Sequence, residues 1–303
     1  MPSEKNILIT GSVAIDNIKT PYGEVNEVLG GSATYSSFAA SLFSSVKVVS
    51  MVGSDFPADY LKKFTDRKID ISGLKIFEGQ TFRWTGLYAE NMNEAKTLSV
   101  CPENLKDASF NIPSHYKNSD YIFLANTDPD VQSEILERIS VSGPVLMDTM
   151  NLWINSKPES IKKLLEKIDI MLINETEARL FTGKINLISA AREISKMGPG
   201  TVVIKKGEHG ALMFMEGDIF SVPAYPVEEV KDPTGAGDSF AGGFTGYLAF
   251  CGKKDNYALR RAAVTGAAVA SFTVEDFSTK RLESITQADI SVRVEKIRQM
   301  LKF

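Results

Sequence analysis

The chain has 303 residues, 43% of them apolar and 24% charged, with a formal net charge of −4. Such a chain can bury a sizeable core, and its composition excludes disorder. The slight negative balance, without a basic run or a basic stripe interleaved with aromatics, argues against a nucleic-acid partner.

Cys101 and Cys251 lie far apart and read as inert thiols of a reduced, cytoplasmic chain, and the isolated His115 and His209 make no zinc spacing. MPSEKNILIT carries no long apolar run behind a basic patch, so no signal peptide is expected. No stretch reaches the roughly 20 apolar residues of a membrane span.

Short β-branched runs alternate with helical patterns. Asn6–Thr10 predicts a buried strand ended by Gly11, Ser32–Leu42 a small-residue helix, and Val46–Val52 a second strand closed by Gly53. Further strands are predicted at Tyr121–Ala125, Val145–Asp148, Ile170–Ile173 and Thr201–Lys205, with helices between them such as Val131–Ile139 and Ile188–Met197. Strand and helix in alternation predict an α/β fold: a mostly parallel sheet with helices on both faces. Ile15–Leu29 and Leu74–Ser99 break the rhythm. They are polar, turn-rich and alternating, as in FRWTGLYAE, and predict a small antiparallel β-flap. With no internal repeat and no linker, residues 1–303 read as one domain whose lid is two insertions at about 15–30 and 74–99.

Lys231–Gly243, KDPTGAGDSFAGG, carries the strongest signal. Gly235, Ala236 and Gly237 feed an amphipathic helix with Phe240, Phe244, Tyr247 and Leu248 at helical spacing. Such a turn presents unpaired backbone N–H groups and the positive end of the helix dipole, so it can hold an anion. Small side chains let phosphate oxygens come close. Asp238 opens the helix, where the same field is expected to keep its carboxylate ionised. It can accept a hydroxyl proton that phosphoryl transfer makes acidic.

DPTGAGDSFAGGF resembles the C-terminal signature of the ribokinase-like (PfkB) carbohydrate kinases, usually DTxGAGDxF, and the resemblance spans nearly the whole chain. It implies the ribokinase-like form of the fold and transfer of the γ-phosphoryl group of ATP to a hydroxyl of a small sugar-like acceptor. Asp238 would be the base and Gly235–Gly237 the anion hole. Asp232 matches the signature, but Pro233 stands where Thr is usual, which leaves the hydroxyl of Thr234 on the ATP side. GSVAID is similar to the family's first strand and turn, which puts a sugar-binding carboxylate on Asp16. GGSATYSS resembles the di-glycine motif, with Gly30 and Gly31 as the hinge and the acceptor's backbone contact, and Tyr35 where the family often has Asn. That departure argues mildly against a plain ribose site.

NETEARLFTG resembles the NxxE element, which implies Asn174 on the nucleotide phosphates and, with Glu177 acting through water, on Mg²⁺. The same two residues, three apart at a helix start, also have the form of a helix-capping pair. VIKKGEHGALM is similar to the nucleotide-side loop, with Lys205, Gly207 and Gly210; a hairpin with a solvated lysine is the plainer reading. Gly266, in a helix of small residues, is expected beside adenine. Sequence order puts Asn151 (MDTMNLW) on the acceptor pocket wall and Arg83 (TFRWTG) on the flap, whereas Trp84 and Trp153 read as packing residues.

The expected cofactors are ATP and Mg²⁺, with a monovalent cation such as K⁺ in view. The expected partners are ATP and a small acceptor, sugar-like or in the alternative a nucleoside, with a second copy of the chain through the lid. A nicotinamide-dependent oxidoreductase would need G-x-G-x-x-G after its first strand and a P-loop enzyme G-x-x-x-x-G-K-[ST]; neither is present. A non-catalytic sugar-binding protein has no use for an Asp at the mouth of an anion-binding turn.

Overall fold

The computed structural model describes residues 5–90, 92, 93, 95–101, 110 and 112–302. In chain order its strands are β1 (Asn6–Thr10), β2 (Ala14–Thr20), β3 (Gly23–Gly30), β4 (Ser45–Gly53), β5 (Asp70–Phe77), β6 (Arg83–Tyr88), β7 (Ala95–Cys101), β8 (Asn118–Ser119), β9 (Tyr121–Leu124), β10 (Ser140–Val141), β11 (Val145–Met147), β12 (Ile170–Asn174), β13 (Thr201–Lys205), β14 (Ala211–Met215) and β15 (Asp218–Val222). The α-helices are α1 (Ser32–Ala40), α2 (Ala58–Asp66), α3 (Pro129–Glu137), α4 (Asn151–Ser156), α5 (Pro158–Leu165), α6 (Glu175–Thr182), α7 (Leu187–Ser195), α8 (Ala236–Cys251), α9 (Asn256–Thr273), α10 (Lys280–Ser284) and α11 (Gln287–Met300). Among the described residues no helix is long and apolar enough to cross a membrane.

The main sheet has nine strands in the order β15-β14-β13-β12-β11-β9-β1-β4-β5. From β13 to β5 neighbours are parallel, and the hairpin β14–β15 adds an antiparallel edge. The strands read as unbroken apolar runs because both faces are covered. Ile7 and Ile9 enter one core while Leu8 enters the other, and Leu172 is likewise opposed by Met171 and Ile173. On the Ile7 face α1, α8 and α9 pack tightly: a Cβ on Gly242 would stand 2.2 Å from the Ser36 carbonyl oxygen.

A second sheet, in the order β3-β2-β6-β7, consists of two antiparallel hairpins joined through a parallel β2–β6 pair. It answers to the expected flap, with one difference. Leu74–Phe77 pairs with Ser50–Gly53 and completes edge strand β5 of the main sheet instead. Positions 91 and 94 of the expected flap lie outside the described residues.

Candidate active site

In a parallel sheet the carboxyl ends of the strands gather functional groups on one edge. Asp148 follows β11, Asn174 ends β12 and Lys205 ends β13, and the register sets Asn174 directly beside Lys205. The Lys205 amine is bound to the Asp148 carboxylate, with side-chain exposures of 14% and 3%. So Lys205 does lie at the start of a hairpin, as the plainer reading held, yet it is not solvated. Burial alone would lower its pKa; Asp148, then Glu177 and Asp238, raise it instead, so the amine stays charged. Asp148 Oδ1 also accepts from the Thr149 N–H at 2.9 Å.

Gly235 opens α8 with φ 73°, the left-handed region open to glycine at little cost. Its missing side chain is filled by Tyr35: a Cβ there would stand 2.3 Å from the ring. Of the three turn residues expected to form the anion hole, Ala236 turns its N–H inward to the Pro233 carbonyl at 3.1 Å. The next amides head the helix, and the Lys205 Nζ lies 3.3 Å from where a Gly237 Cβ would be. Asp238 stands in that first turn. Its carboxyl is not held low by the helix field, as the sequence suggested. Burial and then Asp148 push it up to about 7, against the pull of Lys205.

Asn174 and Glu177 form a complete capping box at the start of α6, each side chain accepting the other's backbone N–H at 2.8 Å. The Glu177 carboxyl also faces the charged cluster. Burial, followed by Asp148, raises it to about 8, with Lys205 opposing.

Where the acceptor was expected, Asp16 is 3% exposed, and its Oδ2 would lie 1.8 Å from a Gly30 Cβ. Only a glycine at residue 30 leaves room for that carboxylate. Gly31, at φ 98°, would drive a Cβ to 2.4 Å from the Ser12 carbonyl oxygen. Burial, then Asp232 and Asp238, raise the Asp16 carboxyl to about 8, countered by a backbone hydrogen bond from Gly31. Tyr35 reaches this region from below. It is 1% exposed, and its hydroxyl has no hydrogen-bond partner among the described residues. The structure thus places it under the turn as a support.

The small sheet touches the turn directly. Thr20 Oγ1 donates to the Lys231 carbonyl at 2.9 Å, and Thr234 Oγ1 donates to the Tyr88 hydroxyl at 3.1 Å. Asp232, fully buried, accepts the N–H of Thr234 at 2.9 Å and of Ser278 at 3.2 Å.

Three expected residues are not brought into the cluster. Arg83 sits on the outer side of β6, bound to Asp55 at 2.7 Å and Glu27 at 3.3 Å. Gly266 lies in the α8–α9 seam, where a Cβ would meet the Phe240 carbonyl at 2.7 Å. Asn151 is an exposed first residue of α4. Gly207 and Gly210 shape the loop after β13, both at positive φ, and the Asn93 Oδ1 of the small sheet's far loop lies 3.5 Å from where a Gly207 Cβ would be. Sequence reasoning missed Asp148, Tyr88 and Ser278. Of these only Asp148 had a local signal, as the acidic residue closing a predicted strand three before Asn151.

Among the described residues no group of three or more His, Cys, Asp or Glu could hold a metal ion by itself. The buried carboxyls of Glu177 and Asp148 fit a Mg²⁺ that takes most of its ligands from phosphates and water.

A glycine-led helix start beside a buried carboxyl, on the carboxyl edge of a doubly covered sheet, is the arrangement of the ribokinase-like fold. Residues 4–284 match the pfkB family carbohydrate kinase description, and the chain belongs to that family as a carbohydrate or nucleoside kinase. It is 30% identical over 245 residues to the cytidine kinase of Thermococcus kodakarensis, covering 79% of this chain and 87% of that one. It is 26% identical over 298 residues to the nucleoside kinase of Methanothermobacter thermautotrophicus, covering 92% and 93%. The fold matches a fructokinase from Vibrio cholerae solved with fructose, ADP and calcium ion. There the TM-score is 0.78 and the identity 19%, over 96% of this chain and 99% of that one.

Proposed function

We propose that the chain transfers the γ-phosphoryl group of MgATP to a hydroxyl of a small neutral acceptor, a sugar or a nucleoside. The observation that carries this is the placement of Asp238 in the first turn of α8, with the Lys205 amine beside Gly237. In this reading the amides heading α8 and Lys205 receive the phosphoryl oxygens, whose charge they offset as it builds. Asp238 takes the acceptor's proton as the new phosphorus–oxygen bond forms and ADP leaves. Its pKa of about 7 suits that exchange near neutral pH. Mg²⁺, when bound, would neutralise the β and γ oxygens. Glu177 and Asn174 would orient its water, and Asp148 would balance Lys205 until phosphate arrives.

Asp16 would hold the acceptor's hydroxyls, with Gly30 and Gly31 at the point where the small sheet closes. A neutral acceptor is favoured because carboxyls at residues 16, 232 and 238 crowd this side, while Arg83 is turned away and paired. The names of the cytidine and nucleoside kinase relatives favour a nucleoside. The exposed edge strand β7 would let two small sheets pair in a homodimer, which light scattering would detect. The central test is Asp238→Asn with a sugar and nucleoside panel. Turnover should fall by about 10² or more with ATP affinity kept. Retention of more than about a third of wild-type turnover would remove Asp238 from the mechanism.

A further inference from the structure

Resting on the kinase reading above, we infer that Trp84 is the platform on which the acceptor's aromatic base stacks, so that the lid selects nucleosides over free sugars. The argument begins with register. Asp16 and Trp84 are direct partners on the parallel strands β2 and β6, so their side chains leave the same face of the small sheet. The next pair lies on the opposite face, where Asn17 Nδ2 donates to Thr85 Oγ1 at 3.3 Å.

The Asp16 face is the one turned to the phosphoryl-transfer turn. Thr20 and Tyr88, two and four residues further along their strands from Ile18 and Trp84, reach Lys231 and Thr234 from it. Trp84 is therefore on the inner side, one strand across from the carboxylate that would hold the sugar.

Its pose is that of a shelf. The indole lies over Gly86, where a Cβ would come within 2.0 Å of the ring, so the absent side chain lets the ring lie flat against the sheet. The Nε1–H donates to Thr97 Oγ1 on β7 at 3.1 Å, which fixes the ring's orientation and satisfies its one donor. Trp84 is half-buried, so part of its surface remains open to a ligand. Trp153, by contrast, packs against the second core, with its Nε1 buried.

An immobilised indole presents a large π-face, and bases stack on such faces whatever their edge groups. A nucleoside joins sugar and base by a single bond, so a base over Trp84 is within reach of a sugar at Asp16. A free sugar leaves the indole uncovered. Arg83, the cation of the same strand, faces the other way, so the shelf favours a neutral base.

The test uses the full chain and four acceptors: cytidine, adenosine, inosine and ribose. In a Trp153→Phe background the remaining tryptophan is Trp84. Adding a nucleoside without ATP should quench its fluorescence, and ribose should not. Trp84→Leu should raise the KM of the best nucleoside by about tenfold or more, leaving the KM for ATP and the melting temperature near wild type. Trp84→Phe should recover part of that loss, which guards against a Leu variant that folds poorly. Unquenched fluorescence at saturating nucleoside, or an unchanged nucleoside KM in Trp84→Leu, would overturn the inference. A wild-type enzyme that phosphorylates ribose as efficiently as every nucleoside would overturn it too, while leaving the kinase reading intact. Loss of the kinase reading shows separately, as absence of acceptor-dependent ATP consumption, and the fluorescence titration still judges Trp84 in that case.

Discussion

The ring of Tyr35 fills the space that a side chain on Gly235 would need, with a Cβ at residue 235 falling 2.3 Å from the ring. The pair joins α1 to the start of α8 and fixes the height of the turn at residue 235. Gly235→Ala should therefore strain both the backbone, at φ 73°, and the packing, costing about 2–5 kcal/mol in a denaturant titration. Tyr35→Phe keeps the ring and removes a buried hydroxyl that has no hydrogen-bond partner among the described residues, so stability should hold or rise by up to about 1 kcal/mol. A loss above about 1 kcal/mol in Tyr35→Phe would show that the hydroxyl is satisfied in solution.

The pH dependence of turnover follows from the neighbours of Asp238. A base works deprotonated, so kcat/KM should fall as pH drops through about 7, where burial and Asp148 have moved this carboxyl. Asp148→Asn removes a negative neighbour and frees Lys205, so the acid limb should move to lower pH. A limb that stays in place across that variant would mean another group titrates.

Glu177 separates capping from metal chemistry, because Gln can also serve at the third position of a capping box. Glu177→Gln should thus keep α6 intact while raising the Mg²⁺ concentration needed for half-maximal turnover. Unchanged metal dependence would leave Glu177 as a cap alone.

The same carboxyls set a stability slope in the ligand-free protein. Asp16 and Glu177 titrate near 8 and Asp238 near 7 when folded, well above their ordinary range near 4. Between about pH 5 and 7 the unfolded chain has lost these protons and the folded chain keeps them. Stability should therefore decline as pH rises, by at most about 1.4 kcal/mol per pH unit for each group. Glu177→Gln should flatten the decline by one group's share, read from denaturation midpoints at pH 5, 6 and 7. A slope identical to wild type would place Glu177 ionised in the native state.

Asp16 and Gly30 should behave as one unit. Asp16→Ala should raise the acceptor KM by about tenfold or more and spare ATP, as expected when a hydrogen bond is lost in a closed site. Gly30→Ala should do nearly the same, since its Cβ would displace the Asp16 carboxylate. The double variant should be no worse than the poorer single one. Additive losses would mean the two residues act on different ligands.

Local chemistry wrote much of this protein into its sequence. Apolar runs such as Ile7–Ile9 and Met171–Ile173 specify buried strands, and glycine at 235 followed by Asp238 and the spaced aromatics of α8 specifies a turn and a helix start. The capping box at Asn174 and Glu177 was legible for the same reason, since its partners are three residues apart. Tertiary structure decided what depends on partners far along the chain. Lys205 meets Asp148 across 57 residues, and Thr234 meets Tyr88 across 146. It also decided parity. Arg83 and Trp84 are neighbours in a strand whose face assignment turns on the β2–β6 register, and a shift of one residue would exchange them. Local pattern could place both residues on the flap; only the pairing of β6 with β2 turned the indole inward and the guanidinium out.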